Sequence, residues 1–439
     1  MYLNRQRLAA AIALTLPALS QATPFSIFEA RGFAMGGAGV ASSEHAAAAL
    51  YNPALLAAPS ETDRFSFILP AVGARATGTD GSVKAVMDLS DHNTIDKLTS
   101  AADAFTTAYN ACRSTGCNND TNLKTASGRV ADASTVARDD LGALSGKSYI
   151  VNAGAVAAIA LPKWEYKGAL SLNVEFFGKA TPVIASQDLA DLGTVISGAR
   201  NYQQNGNPTA LLSFYNPTTG ELTVGSNGNY QSKFNVVGVA VGDIGLSMAK
   251  RINVGDQSLL LGLTPKIQQV NSVVYTADVN NTDFDLNKNK KTDAGFNVDV
   301  GLAKTFDADS QYEKVRLGLV VRNLIPHTYK TSDPAQDIKM APQVRVGAAW
   351  TGKYGTITSD FDLTANKIIG TGTDASQVFA IGGELNAWNV AKLRAGYRND
   401  IKAKYGAVTA GVSLLGLQLS VAYAKDRELA ALLQFGASF

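Results

Sequence analysis

The sequence predicts an all-β chain: an antiparallel transmembrane β-barrel of about 14 strands with an N-terminal plug and a small helical extracellular insertion. Three observations predict it. From Glu313 to Phe439, segments of roughly ten residues follow one another, each alternating apolar and polar side chains, as Val315, Leu317, Leu319 and Val321 do with Arg316, Gly318 and Arg322. Successive strand residues point to opposite faces, so one face lies in oil and the other in water. A soluble sandwich also alternates, but it rarely needs so many long strands in succession, and it hides its apolar face. Second, beyond the N-terminus no stretch reaches the roughly 18 apolar residues that a membrane helix requires, which leaves a closed barrel as the way across a bilayer. Third, Arg5 and Arg7 precede an apolar run, Leu8 to Leu16, and the small residues Ser20 and Ala22. That is the pattern of a secretory signal peptide, residues 1–22, with cleavage expected after Ala22.

Residues 23–60 are expected to form the plug. Arg31 to Pro59 is apolar yet too broken to span a membrane. Gly36, Gly37 and Gly39 permit tight backbone approach, Ala46 to Leu50 can form a short helix, and Asn52-Pro53 ends it. A wide barrel needs its lumen filled, so we expect Arg31, these glycines, Asn52 and Pro53 to shape a gate there; a strap beneath the barrel is the alternative.

The barrel follows over 61–439, with strands near 63–77, 148–162, 167–181, 233–251, 257–278, 292–308, 313–327, 341–352, 354–367, 376–388, 390–401, 403–414, 417–425 and 427–439. Between the first two, about 80–147, Ile95, Leu98, Ala102 and Phe105 recur at helical spacing, and Val130, Val136 and Leu141 mark a second amphipathic stretch. We read this as a folded helical cap covering its own apolar face, ahead of a binding lid. Cys112 and Cys117 lie within it, and export to an oxidising compartment makes them a local disulfide; their spacing is not that of a redox C-x-x-C site. A long excursion, about 182–232, stays outside the wall, although 210–215 and 221–225 could form a hairpin.

Connections after even-numbered strands are short and those after odd-numbered strands mostly long. Barrels of this kind have short periplasmic turns, which puts both termini in the periplasm of a Gram-negative cell and the barrel in the outer membrane. Trp164, Trp350 and Trp388 fall at strand ends, at headgroup level. A one-residue slip would turn several charges toward lipid at about 2–4 kcal/mol each, so register is strongly specified. The expected partners are outer-membrane lipid, the barrel assembly machinery through the last strand ending at Phe439, and a small hydrophobic ligand.

A formal net charge of +2 with dispersed Lys and Arg gives no footprint for nucleic acid. His45, His92 and His327 are the only histidines and lie too far apart for a zinc motif or a nucleophile–base pair, so neither catalysis nor a cofactor is expected. Asp283, Asp285, Asn287 and Asn289 mimic the start of a calcium loop. Lys288 replaces its turn glycine and Ala294 its bidentate glutamate, which points to a solvated loop. Inward charges of both signs are expected from Asp299, Asp360, Asp362, Glu384, Arg316, Arg322, Arg345, Arg394 and Arg398. They read first as a structural network and second as a selectivity ring.

The run GFAMGGAGVAS (32–42) followed by ALYNPALL (49–56) resembles the start of outer-membrane proteins of the conjugal (plasmid) transfer TraF family. LTPKIQ (263–268), VRLGLVVRNLIPHT (315–328), PQVRVGAAW (342–350) and NAWNVAKLRAGYRND (386–400) resemble that family's internal blocks, so the likeness covers nearly the whole chain. A thioredoxin-like conjugation protein shares the family's name, and neither its fold nor its chemistry is supported here. More distantly, the glycine-rich segment ending in Asn52-Pro53-Ala54 looks like the hatch of the FadL long-chain fatty acid transporter superfamily of 14-stranded barrels. That resemblance implies passive uptake of apolar molecules past the plug, with sideways release through a gap in the wall. The other function left open is a non-transporting envelope component associated with conjugation.

Overall fold

The structure is a computed structural model that describes residues 27–58, 65–79, 81–161, 167–216, 221–222, 230–254, 257–278, 289–307, 313–334, 337–367, 375–386 and 391–438. Fourteen antiparallel strands close into one barrel. They are β1 Ser66–Gly78, β2 Tyr149–Leu161, β3 Lys167–Val183, β4 Lys233–Val254, β5 Gln257–Asp278, β6 Lys290–Asp307 and β7 Lys314–Arg322, then β8 Gln343–Gly352, β9 Gly355–Asp362, β10 Val378–Leu385, β11 Ala391–Asp400, β12 Tyr405–Leu414, β13 Leu417–Ala424 and β14 Glu428–Ser438. Each pairs with its neighbour in sequence, and β1 closes on β14 with Ser66 opposite Ser438. Closure removes every strand edge, as a sheet in hydrocarbon must.

The side-chain period of two sorts the faces. Along β13, Leu417, Leu419, Val421 and Tyr423 are exposed, whereas the intervening Ser420 and Ala422 are buried. The same division runs through β8 to β11, where Trp350, Ile357, Ile381 and Leu393 point out and Arg345, Thr358, Ala380 and Arg394 point in. The outer surface is therefore a continuous apolar band and the interior is polar, the inverse of a soluble domain. Trp350 faces outward near the end of β8; Trp164 and Trp388 lie outside the described residues.

Three strands are clearly shorter than their sequence pattern predicts, among them β10, which runs over Val378–Leu385 rather than 376–388. β7 stops at Arg322 rather than 327, because Asn323 takes a left-handed φ of 54° and its backbone N–H donates to Asp299 Oδ1 (2.8 Å), turning the chain off the wall. The freed residues make a side ribbon, His327–Tyr329 with Ile338–Met340. β9 stops at Asp362 rather than 367, and Asn366–Lys367 pairs with Ala375–Ser376 instead. The candidate hairpin in the 182–232 excursion is a similar two-residue ribbon, Tyr215–Asn216 with Glu221–Leu222, outside the barrel.

All helices of eight residues or more among the described residues sit at one end, hereafter the insertion end; the short turns define the turn end. The β1–β2 connection holds α1 Ser82–Asp91, α2 Thr94–Cys112 and α3 Thr121–Leu144, and the β3–β4 connection adds α4 Ser186–Asn205. Phe105, Leu123, Val130, Val195 and Tyr202 form one core across α2, α3 and α4, so the cap draws on both excursions. Leu192, Val195, Ala199 and Tyr202 carried the helical period of α4 in the sequence. Cys112 and Cys117 are joined across the turn after α2. Ile95, placed on the apolar face by its spacing, is 68% exposed.

Candidate functional site

Residues 27–58 fill the lumen. Glu29 caps the short helix Ala30–Ala34, its carboxylate accepting from the backbone N–H of Arg31 (3.0 Å) and Gly32 (2.8 Å). Gly36 and Gly37 then take φ of 76° and 92°, reversing the chain where a side chain would be strained. A second short helix, Ala48–Tyr51, brings the Tyr51 ring onto Gly32 and Gly39, where a methyl group on either glycine would collide with it. Asn52 is fully buried and ties three pieces together. Its Oδ1 accepts from Ala54 N–H (3.1 Å), and its Nδ2 donates to Val40 O (2.9 Å) and to Leu302 O of β6 (3.2 Å). Pro53, which lacks an N–H to satisfy, opens the following 3-10 turn, Pro53–Ala57.

The wall makes room for this segment by omitting side chains. A methyl group on Gly382 (β10) or Gly396 (β11) would come to 2.5 Å of Met35 Cα or Gly36 N, and one on Gly411 (β12) to 2.6 Å of Ala34 Cβ. On the opposite side, Gly262 (β5) and Gly301 (β6) abut Ala54 and Asn52; Gly318 (β7) and Gly347 (β8) abut Val40. Each of these distances lies inside van der Waals contact, so the backbone of the segment touches the backbone of the wall around much of the circumference.

Charged side chains fasten it. Arg31 donates from Nε and Nη2 to the Glu384 carboxylate (3.0 and 3.2 Å) and from Nη1 to Ser42 O (2.6 Å). Arg394 donates to the same carboxylate at 2.7 Å. Arg345 pairs with Asp362 (2.5 Å) and reaches Gly37 O (3.3 Å), while Asp360 Oδ2 accepts from the N–H groups of Gly39 (2.8 Å) and Val40 (3.0 Å). Arg316 reaches Ala41 O (3.4 Å). Arg322 stands 3.7 Å from Asp299, and Arg398 pairs with Glu428. All the inward charges named from the sequence thus lie in the lumen, but as separate clusters rather than one ring. Lys266, Asp243, Arg75 and Glu428 complete the clusters and escaped the sequence reading. Lys266 bonds Asp299 (2.9 Å) and approaches Asp243 (3.6 Å); Arg75 shares Glu428 with Arg398 at 3.7 Å. Their place one step from an outward apolar residue, Lys266 beside Ile267 and Arg75 beside Ala74, was the available signal.

Between this segment and the insertion end lies a small cavity of about 80 Å³, open at its mouth. Phe33, Ile150, Phe177 and Val378 supply apolar lining; Arg75, Arg345, Arg398 and Tyr405 supply polar groups. A smaller space of about 20 Å³ lies on the other side, between Leu50 and the Asp243–Lys266–Asp299–Arg322 cluster. Near it the β4–β5 ladder skips Leu246–Ser247 and Thr264–Pro265, because Pro265 has no N–H to donate, and the Ser247 and Thr264 hydroxyls bond each other instead (2.8 Å).

His92 bonds Asp140 (3.0 Å) in the cap, and His327 lies 4.0 Å from Asp293. Among the described residues no group of three or more His, Cys, Asp or Glu side chains could hold a metal ion. The signal peptide, most of the calcium-like segment and Phe439 lie outside the described residues.

The closed, lipid-faced wall and the occupied interior together define a transmembrane β-barrel of outer-membrane type. The chain belongs to the family described as "F plasmid transfer operon, TraF, protein", whose model matches residues 49–362. No curated protein matches the sequence. Among solved structures, it is similar to the toluene transporter TbuX of Ralstonia pickettii at 12% identity and TM-score 0.47, covering 96% of this chain and 99% of that one. Similar too are the toluene transporter TodX of P. putida (11%, TM-score 0.45, 93% and 98%) and a Pseudomonas aeruginosa FadL homologue (8%, TM-score 0.40, 96% and 98%).

Proposed function

We propose that this barrel admits small hydrophobic molecules passively across the outer membrane, with residues 27–58 as the gate. The observation that carries the reading is the combination of a lumen closed by a docked segment and a cavity directly against that segment whose apolar side chains face a few charged groups. Phe33 belongs to both: it lies on the short helix beside Arg31 and lines the cavity. A ligand entering from the insertion end meets Phe177, Ile150 and Val378 and then Phe33 of the gate itself. In this orientation the insertion end is extracellular and both termini are periplasmic, as short turns on the periplasmic side require. Arg31, Gly36, Gly37, Gly39, Asn52 and Pro53 set the closed state.

Uptake of labelled fatty acid and of aromatic hydrocarbons is expected to fall in a deletion strain and to return with the gene. Unchanged uptake across such a panel sinks the reading. The family description favours a second reading, a non-transporting envelope component of plasmid conjugation. On that reading, mating frequency falls on deletion while uptake does not.

A further inference from the structure

On the lipid side of the wall, at the turn end of β8 to β11, lies an open groove of about 650 Å³. Trp350, Tyr354, Ile357, Leu385 and Leu393 line it, all with exposed side chains. Its floor is an absent side chain. Gly383 stands opposite Ile357 on one strand and Ala395 on the other, and it faces outward with them. A methyl group there would meet nothing nearer than the Thr356 carbonyl at 3.6 Å, unlike the lumen-facing glycines, whose space the gate occupies. The Gly383 slot is thus open space on the outward face of the wall, a shape that an acyl chain fills.

The mouth of the groove is polar and of mixed sign. Lys353, in the β8–β9 turn, and Glu313, just before β7, both line it. The Lys353 ammonium lies 5.2 Å from the Tyr354 ring centroid, in the zone where Trp350 and Tyr354 mark the headgroup level. Glu384 and Arg394 also reach the lining, but they are buried and engaged with each other and with Arg31. Lys353 and Glu313 thus place one cation and one anion at the mouth of the groove, which suits a headgroup that carries both charges. We propose that the groove binds one zwitterionic phospholipid with a primary ammonium, a phosphatidylethanolamine. Its phosphate lies at Lys353, its ammonium donates to Glu313, and one acyl chain runs over Gly383 between Ile357, Leu385 and Leu393. The site is independent of whether the barrel transports anything.

The test is native mass spectrometry of the full-length barrel, purified in mild detergent and offered equal amounts of phosphatidylethanolamine, phosphatidylglycerol and phosphatidylcholine. The native protein is expected to retain one phosphatidylethanolamine about tenfold over the other two, the equivalent of one charged hydrogen bond. Glu313→Gln is expected to erase the preference over phosphatidylcholine, whose quaternary ammonium cannot donate, and Gly383→Leu to abolish retention of all three. Lys304→Gln, at the turn end but outside the groove, is expected to keep the native preference. Equal retention of the three lipids by the native protein overturns the proposal. So does a preference that survives Glu313→Gln, or one lost equally in Lys304→Gln. Unheated gel mobility verifies closure of each variant; should Gly383→Leu fail to close, the Glu313→Gln comparison decides alone.

Discussion

Arg31 and Glu384 meet through two hydrogen bonds, Nε to Oε2 at 3.0 Å and Nη2 to Oε1 at 3.2 Å, across a sequence separation of 353 residues. The contact joins the N-terminal segment to β10, and Arg394 of β11 bonds the same carboxylate. Both sides of the bridge are buried. Removing one member of such a pair costs about 3–5 kcal/mol, because the remaining charge is left without a counter-ion in a dry site.

Glu384→Gln is therefore expected to loosen the segment far more than Arg31→Met, which leaves Glu384 with Arg394. The buried Ser42, replaced by cysteine, reports the difference. Its labelling by a membrane-impermeant maleimide should accelerate strongly in the Glu384→Gln background and slightly in Arg31→Met. Equal rates in both would show that the bridge does not hold the segment.

Gly396→Val places a branched side chain against Met35 and Gly36 while favouring the strand it sits on. The wall is expected to close and the segment to dock badly, raising solute entry in a liposome-swelling assay. Gly383→Val on the neighbouring strand, pointing outward into open space, is the matched control and should leave entry unchanged.

The cap should separate from the barrel in stability. Breaking the Cys112–Cys117 bond by Cys112→Ser with Cys117→Ser removes about 2 kcal/mol of loop constraint from the unfolded cap. Proteolysis near residues 113–120 should then speed up, with no change in the heat-dependent gel shift of the barrel.

Acid should loosen the seam between α4 and β4. Burial pushes the Asp188 carboxyl up, but the Ser232 hydroxyl and the backbone N–H groups of Gln231 and Ser232 outweigh it and hold the group below the usual carboxylate range. A depressed folded value means the stabilisation is complete above the unfolded value near pH 4 and is lost as pH falls through the folded one. Amide exchange of Gln231 and Ser232, corrected for the intrinsic pH trend, should rise below about pH 4 in the native protein. In Asp188→Asn it should already be fast at pH 7.

The wall was legible in the sequence because its signal is local: a period of two, a turn and a second period of two suffice to place each of the fourteen strands. The ends of β7 and β9 were not, since what stops β7 is a bond from Asn323 to Asp299 on another strand. The same division holds inside the lumen. Parity alone put Arg345 and Asp360 inward, but that Asp360 would bond Gly39 and Val40, 320 residues earlier, follows only from the closed ring. The helix α4 was missed for a different reason: its apolar face is small and is completed by Phe105 and Val130 from another excursion.

The glycines that receive the N-terminal segment lie on β1 and β2, against Phe28, and again from β5 to β12, so its berth is finished only when late-synthesised strands have met early ones. Residues 27–58 thus have only part of their seat until the late strands are in place. Closing the ring and seating residues 27–58 become one event in assembly.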